Sequence, residues 1–226
     1  MPSLRDSVTR SPAISPSVSA PSSHGSDAWR VSPNGSKTIL VNPLYKALSR
    51  LQEKLTDADI ASVVIGGVAV SVWSRPRATY DVDFKVLLRR EEAQRLVDAL
   101  GQEYVPLQSD PAEALRRNGV LFVRDESGIR LDLQLADAGF DESAIQRGVE
   151  IELEPNLKAR ICTAEDLIIY KLISTRLQDQ VDVENVVRRQ GDQLDDRYIL
   201  RWLRLLEKAL DDSTLVQSFR RVRESQ

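Results

Sequence analysis

The chain has 226 residues, 42% of them hydrophobic, with 31 basic against 34 acidic side chains and a formal net charge of -3. That length suits one sizeable core, or a core plus a small helical appendage, and the acidic balance excludes gripping nucleic acid by bulk charge, so such a partner needs a local patch. The single cysteine, Cys162, excludes an internal disulfide and points to a reducing, cytoplasmic setting; the lone histidine, His24, leaves no Cys/His metal or nucleophile pair, and no apolar run approaches the ~20 residues that cross a bilayer.

Residues 1–37 are dominated by Ser, Pro and Gly and predict a disordered tail. They lack the apolar run of a secretory signal, and Pro12, Pro16, Pro21 and Pro33 would break a transit-peptide helix. Asn42-Pro43 is a good N-cap and N1 pair, and Leu44, Leu48, Leu51 and Leu55 recur at helical spacing up to Thr56. Val63-Val64-Ile65 reads as a buried strand ending at Gly66-Gly67, and Val68 to Trp73 as a short buried helix.

From Asp81 to Leu88, Val82, Phe84 and Val86 alternate with Asp81, Asp83 and Lys85, which predicts a strand with one apolar and one charged face. A helix over Glu91–Leu100 stops at Gly101, a strand follows at Tyr104–Leu107, and a short helix starts at Pro111. Val120–Arg124 and Ile129–Leu135 form a hairpin across Glu126-Ser127-Gly128. Strands are expected at Val149–Leu153 and Lys158–Cys162. Beyond Thr163, which with Asp166 makes a variant capping box, helices are expected at Ala164–Thr175, Val181–Arg189, Asp196–Leu210 and Ser213–Val222. Strands interleaved with helices, then helices alone, predict an α/β (α+β) core over 38–162 with a mixed sheet, and a C-terminal helical bundle over 163–226.

The chemistry gathers on the charged strand faces. Asp81 and Asp83 point the same way, about 7 Å apart along a strand. Such a pair repels itself unless a cation sits between its members, and rigid oxygen ligands suit Mg²⁺ shared with substrate phosphates. Asp132, flanked by Leu131 and Leu133, occupies the same kind of position. If its strand lies beside that of Asp81, three carboxylates converge, a set able to hold two Mg²⁺ ions for in-line displacement at phosphorus. Gly66 and Gly67 at a strand-to-helix turn let backbone N–H groups approach a phosphate, and Arg75, Arg77 and Lys85 supply positive charge nearby. The arginines of the last helices are interspersed with Asp and Glu, the pattern of solvated faces.

Ile65-Gly66-Gly67, a spacer from Val68 to Tyr80, Asp81-Val82-Asp83-Phe84 and a later Leu131-Asp132-Leu133 resemble the DNA polymerase β-type nucleotidyltransferase superfamily. The stretch from Val63 to Val86, with Arg77-Ala78-Thr79 before the first aspartate and Asp166-Leu167 through Lys171-Leu172 later, is similar to its small bacterial AbiEii-like branch. Arg176 matches that branch, whereas Gln178 stands where it places a basic residue before Asp179. The resemblance implies a nucleoside triphosphate (NTP) substrate, Mg²⁺ held by Asp81, Asp83 and Asp132, and a triphosphate lined by Gly66 and Gly67. It also implies an acceptor hydroxyl on tRNA, protein or a small molecule, and a toxin–antitoxin role with an antitoxin partner. Lys171 reads either as a phosphate contact or as a helix-surface lysine, and Arg176 with Asp179 as an exposed helix pair. The competing reading is a catalytically silent module that keeps the fold.

Overall fold

The computed structural model describes residues 42–136, 139–174 and 176–225; the expected tail 1–37 lies outside them. Helix α1 (Pro43–Asp57) starts as its cap predicts: the Asn42 side chain accepts from the Leu44 N–H at 3.0 Å, and Leu48, Leu51 and Leu55 are fully buried. Strand β1 (Ser62–Ile65) runs straight into α2 (Gly66–Trp73), so that helix begins at the glycine pair rather than at Val68. Gly66 makes the junction possible with a φ of +65°, a left-handed value that a side chain resists.

Strand β2 (Asp81–Val86) follows, then α3 (Ala93–Leu100), the two-residue β3 (Val105–Pro106), α4 (Pro111–Asn118), β4 (Val120–Arg124) and β5 (Arg130–Leu135). Helix α5 (Gly139–Arg147) comes next, a helix absent from the sequence pattern because its few inward residues (Phe140, Ala144, Ile145) fill too short a span for periodicity to register. The chain ends in β6 (Val149–Glu154), β7 (Leu157–Ile161), α6 (Ala164–Ile173), α7 (Leu177–Gln190), α8 (Asp196–Leu210) and α9 (Leu215–Glu224). Helix α6 is capped as expected: Thr163 accepts from the Asp166 N–H at 3.2 Å and donates its hydroxyl to the Asp166 carboxylate at 2.8 Å.

The strands form one mixed seven-stranded sheet in the order β3-β4-β5-β2-β1-β7-β6. Strand β2 pairs antiparallel with β1 and parallel with β5. The α/β class is therefore as expected. Val82, Phe84 and Val86 project to a face that is wholly buried. Asp81, Asp83 and Lys85 project to the other, over which α2 and α5 lie. The apolar core continues from α1 through the sheet into α6, α7, α8 and α9.

Candidate active site

The parallel register of β2 and β5 sets Asp83 opposite Asp132 and Asp81 opposite Arg130. Residues directly opposite on neighbouring strands share a face, so all three expected carboxylates stand on one side of the sheet, at the β1–α2 junction. Gly66 closes the third side. A Cβ on it would fall inside the Asp83 carboxylate, so a glycine is required for contact as well as for φ. A Cβ on Gly67 would collide with Thr79, whose hydroxyl donates to Asp81 Oδ1 at 3.2 Å. The glycine pair thus seats both aspartates.

Burial, then the negative charges of Asp81 and Asp132, push the Asp83 carboxyl up to about 6, with Lys171 and Arg176 pulling the other way. Asp132 is held differently. Both its oxygens accept from Arg130, at 2.7 Å from Nε and 2.9 Å from Nη2, and it is 7% exposed. Among the described residues no three Asp, Glu, His or Cys side chains are gathered tightly enough to hold a metal ion as they stand. Asp132 is engaged by Arg130 in place of a cation. The donors nonetheless fit a hard cation: they are all oxygen, they share one rigid face, and their mutual repulsion at Asp83 is only partly offset.

Two expected phosphate contacts are engaged elsewhere. The Lys171 ammonium is buried between Asp179, at 2.5 Å, and Asp182, at 2.9 Å. Arg77 makes a two-pronged pair with Asp182, from Nε to Oδ1 at 3.1 Å and Nη2 to Oδ2 at 3.0 Å. Gln178 also donates to Asp182 at 3.2 Å, and Arg176 to Asp179 at 2.6 Å. Lys171 is therefore not a helix-surface lysine. Arg176 and Asp179 are not an exposed pair either, since Asp179 is 1% exposed. This network ties the loop before β2 to α6 and α7.

Sequence reasoning missed Asp179 and Asp182 as buried partners. A signal existed, since both sit at positions of α7 that a helix turns toward one side, but an Asp on a charged helix reads as solvated until its neighbour is known. It also missed Asp141, which accepts from Lys85 at 3.1 Å and from the Tyr170 hydroxyl at 2.8 Å. Lys85 is thereby tied to α5.

No family model and no curated protein matches the chain. Among solved structures it is similar to the antibiotic-resistance factor ANT(2'')-Ia, at 13% identity and a TM-score of 0.48, over 74% of this chain and 94% of that one. It is also similar to an antigenic nucleotidyltransferase-like protein from Paracoccidioides brasiliensis, at 15% identity and a TM-score of 0.46, over 77% of this chain and 92% of that one. A third is the lincosamide antibiotic adenylyltransferase LnuA, lincomycin-bound, at 14% and 0.43, over 62% and 94%. At such identities and scores no function passes from those proteins to this chain.

Proposed function

We propose that this chain is a nucleotidyltransferase of the DNA polymerase β type, moving a nucleoside monophosphate from an NTP to an acceptor hydroxyl. The observation that carries this reading is the in-register pairing of Asp83 with Asp132, beside Asp81 and against Gly66. In the reaction the acceptor oxygen bonds to the α-phosphorus, the bond from that phosphorus to the α,β-bridging oxygen breaks, and pyrophosphate leaves. Asp132 takes the hydroxyl proton: a carboxylate offers about four lone-pair sites, and Arg130 occupies one on each oxygen.

Asp81, Asp83 and Asp132 are the residues that would hold Mg²⁺, which when bound supplies charge stabilisation for the phosphoryl oxygens. Gly66 and Gly67, at the N-terminus of α2, offer backbone N–H groups to the triphosphate. Arg77 and Lys171 act by holding the loop before β2 against α7 through Asp182, and Lys171 also sets a positive charge near Asp83. Thus Lys171 is assigned a positioning role.

Incubating the full chain with labelled NTPs, Mg²⁺ and total cellular RNA or protein tests the reading. Asp81→Ala is expected to lower transfer on the order of 10³-fold, the several kcal/mol that a metal clamp supplies, while the protein stays folded. Absence of transfer together with absence of an Mg²⁺-dependent thermal shift with NTP would sink it, since a ligand of the native state must stabilise it. The toxin–antitoxin role rests on the sequence resemblance alone. An adjacent antitoxin reading frame whose product suppresses transfer is its test.

A further inference from the structure

The face that bears the carboxylates continues outward across β5, β4 and β3. Asp83 pairs with Asp132, and Asp132 with Phe122. In the next row Asp81 pairs with Arg130, Arg130 with Arg124, and Arg124 with Val105. Leu107 lies two residues beyond Val105, so it shares that face; its N–H donates to the Phe122 carbonyl at 2.8 Å. Neighbouring strands are about 4.8 Å apart, which puts Phe122 roughly 10 Å from Asp83.

The two faces of this outer part of the sheet differ. Leu121, Val123, Leu131 and Leu133 on one are fully buried. On the other, Val105 is 61% and Leu107 46% exposed, and Arg124 is exposed. The Arg130 guanidinium lies over the Phe122 ring, its Cζ 4.5 Å from the centroid, while two of its nitrogens hold Asp132. Arg124 is steadied by donating to the Gly128 carbonyl at 2.7 Å. In the adjoining turn, the Asp125 carboxylate is engaged by the N–H groups of Ser127 and Ile129.

We infer that this open half of the sheet face is the acceptor platform, and that its occupant is the end of a single-stranded polynucleotide. The inference rests on the nucleotidyltransferase reading and names the acceptor class for it. A guanidinium stacked on an arene presents a planar surface on which a nucleobase stacks. Arg124 beside it meets a phosphate, and Val105 with Leu107 offers an apolar bed to the next nucleotide. The charge fits this occupant. Arg130 and Asp132 offset each other, and Arg124, which is exposed and donates to a backbone carbonyl, adds a positive charge at the outer part of the face. A protein strand would need a longer edge than the two residues of β3. This also answers the overall charge of -3: a local patch suffices when it lies beside the reacting carboxylates.

The test is binding of a 5′-fluorescein oligoribonucleotide of about ten nucleotides to the full chain, read by anisotropy at low salt, alongside the thermal shift with Mg²⁺ and ATP. Phe122→Leu and Arg124→Gln are each expected to weaken RNA binding about tenfold, the loss of one stacked base or one phosphate contact. Lys158→Gln removes the same charge from β7, four strands away from β4, and is expected to leave it unchanged. If the wild type shows the Mg²⁺–ATP shift but binds no RNA, or if Lys158→Gln weakens binding as much as Arg124→Gln, this inference fails and the nucleotidyltransferase reading stands. If RNA binds in a Phe122-dependent manner without any Mg²⁺–ATP shift, the nucleotidyltransferase reading fails instead and the platform remains. If Phe122→Leu alters the sedimentation of the protein rather than its RNA affinity, a second copy covers the face and the inference is overturned.

Discussion

Asp83 and Asp179 are both drawn in from solvent, and both feel Lys171 and Arg176, yet their carboxyls move in opposite directions. Burial and the charges of Asp81 and Asp132 push Asp83 up to about 6. Burial works against Asp179 as well, but hydrogen bonds from Lys171, Ser174 and Arg176 hold it below its ordinary value. The difference is one of contact. Lys171 and Arg176 touch Asp179 and reach Asp83 only through space. The α6–α7 network is thus neutralised within the fold, while the repulsion at Asp83 is offset only in part. A cation bound on that face would relieve the repulsion, and this relief would add to its affinity.

The largest effect should come from unbalancing the neutral side. Lys171→Met leaves Asp179 and Asp182 buried without their shared ammonium, and losing one partner of a buried pair costs about 3–5 kcal/mol; urea unfolding measures it. A cost under about 1 kcal/mol, the range of exposed pairs, would show that the network is not what holds α6 to α7. Next in size is Gly66→Ala. A left-handed residue with a side chain costs on the order of 1–3 kcal/mol, and here the methyl also displaces the Asp83 carboxylate. Transfer activity and Mg²⁺–NTP thermal shift should both be lost while the chain remains folded.

Asp83→Asn acts in the opposite sense and should stabilise the metal-free protein. The folded carboxyl sits near 6 against an ordinary 3.8, so the fold favours its protonated form. That contribution is fully present below about pH 4 and is lost as pH rises through about 6. A displacement of this size corresponds to about 3 kcal/mol at most, or about 2 after allowing for solvent access. Wild type and Asp83→Asn should therefore coincide near pH 4, and the variant should be the more stable by about 2 kcal/mol above pH 6.5 in EDTA. Asp179 has the opposite sign: its depressed carboxyl contributes stability above its ordinary 3.8 that is lost only below that pH. A metal-free Asp83→Asn protein no more stable than wild type at pH 7 would show that the sheet face is not strained by charge.

Much of this site could be read from the chain because its signals are short-range. The alternation around Asp81 and Asp83 fixes their common face, and the glycine pair marks the strand-to-helix junction. The class of the fold followed from strands giving way to helices. What could not be read is long-range pairing. Nothing in the sequence matches Asp182 with Arg77, since one sits in a helix and the other in a loop before a strand. Nor does Arg130 announce that it turns back on Asp132 two residues along its own strand. Helix α5 escaped because its apolar residues complete too few turns. Lys171 and Asp179 were visible as residues but not as partners: burial decides between a solvated lysine and a structural one, and burial depends on α7 packing against α6.

Arg176 offers the smallest and most discriminating change. It binds the same carboxylate as Lys171, but its side chain is 75% exposed against 6% for the lysine. Its guanidinium stays largely in water and Asp179 keeps its bond from Lys171, so Arg176→Gln should move the urea midpoint by about 1 kcal/mol or less, where Lys171→Met moves it several-fold more. Its effect should appear at the other region. Arg176 is one of the charges that oppose the rise of the Asp83 carboxyl, and removing it should carry that carboxyl further upward. The onset near pH 4 should stay, but the pH at which the advantage of Asp83→Asn levels off should shift to higher values when both carry Arg176→Gln. A large stability loss with no movement of that pH would reverse the assignment, making Arg176 part of the buried network rather than of the field at the sheet face.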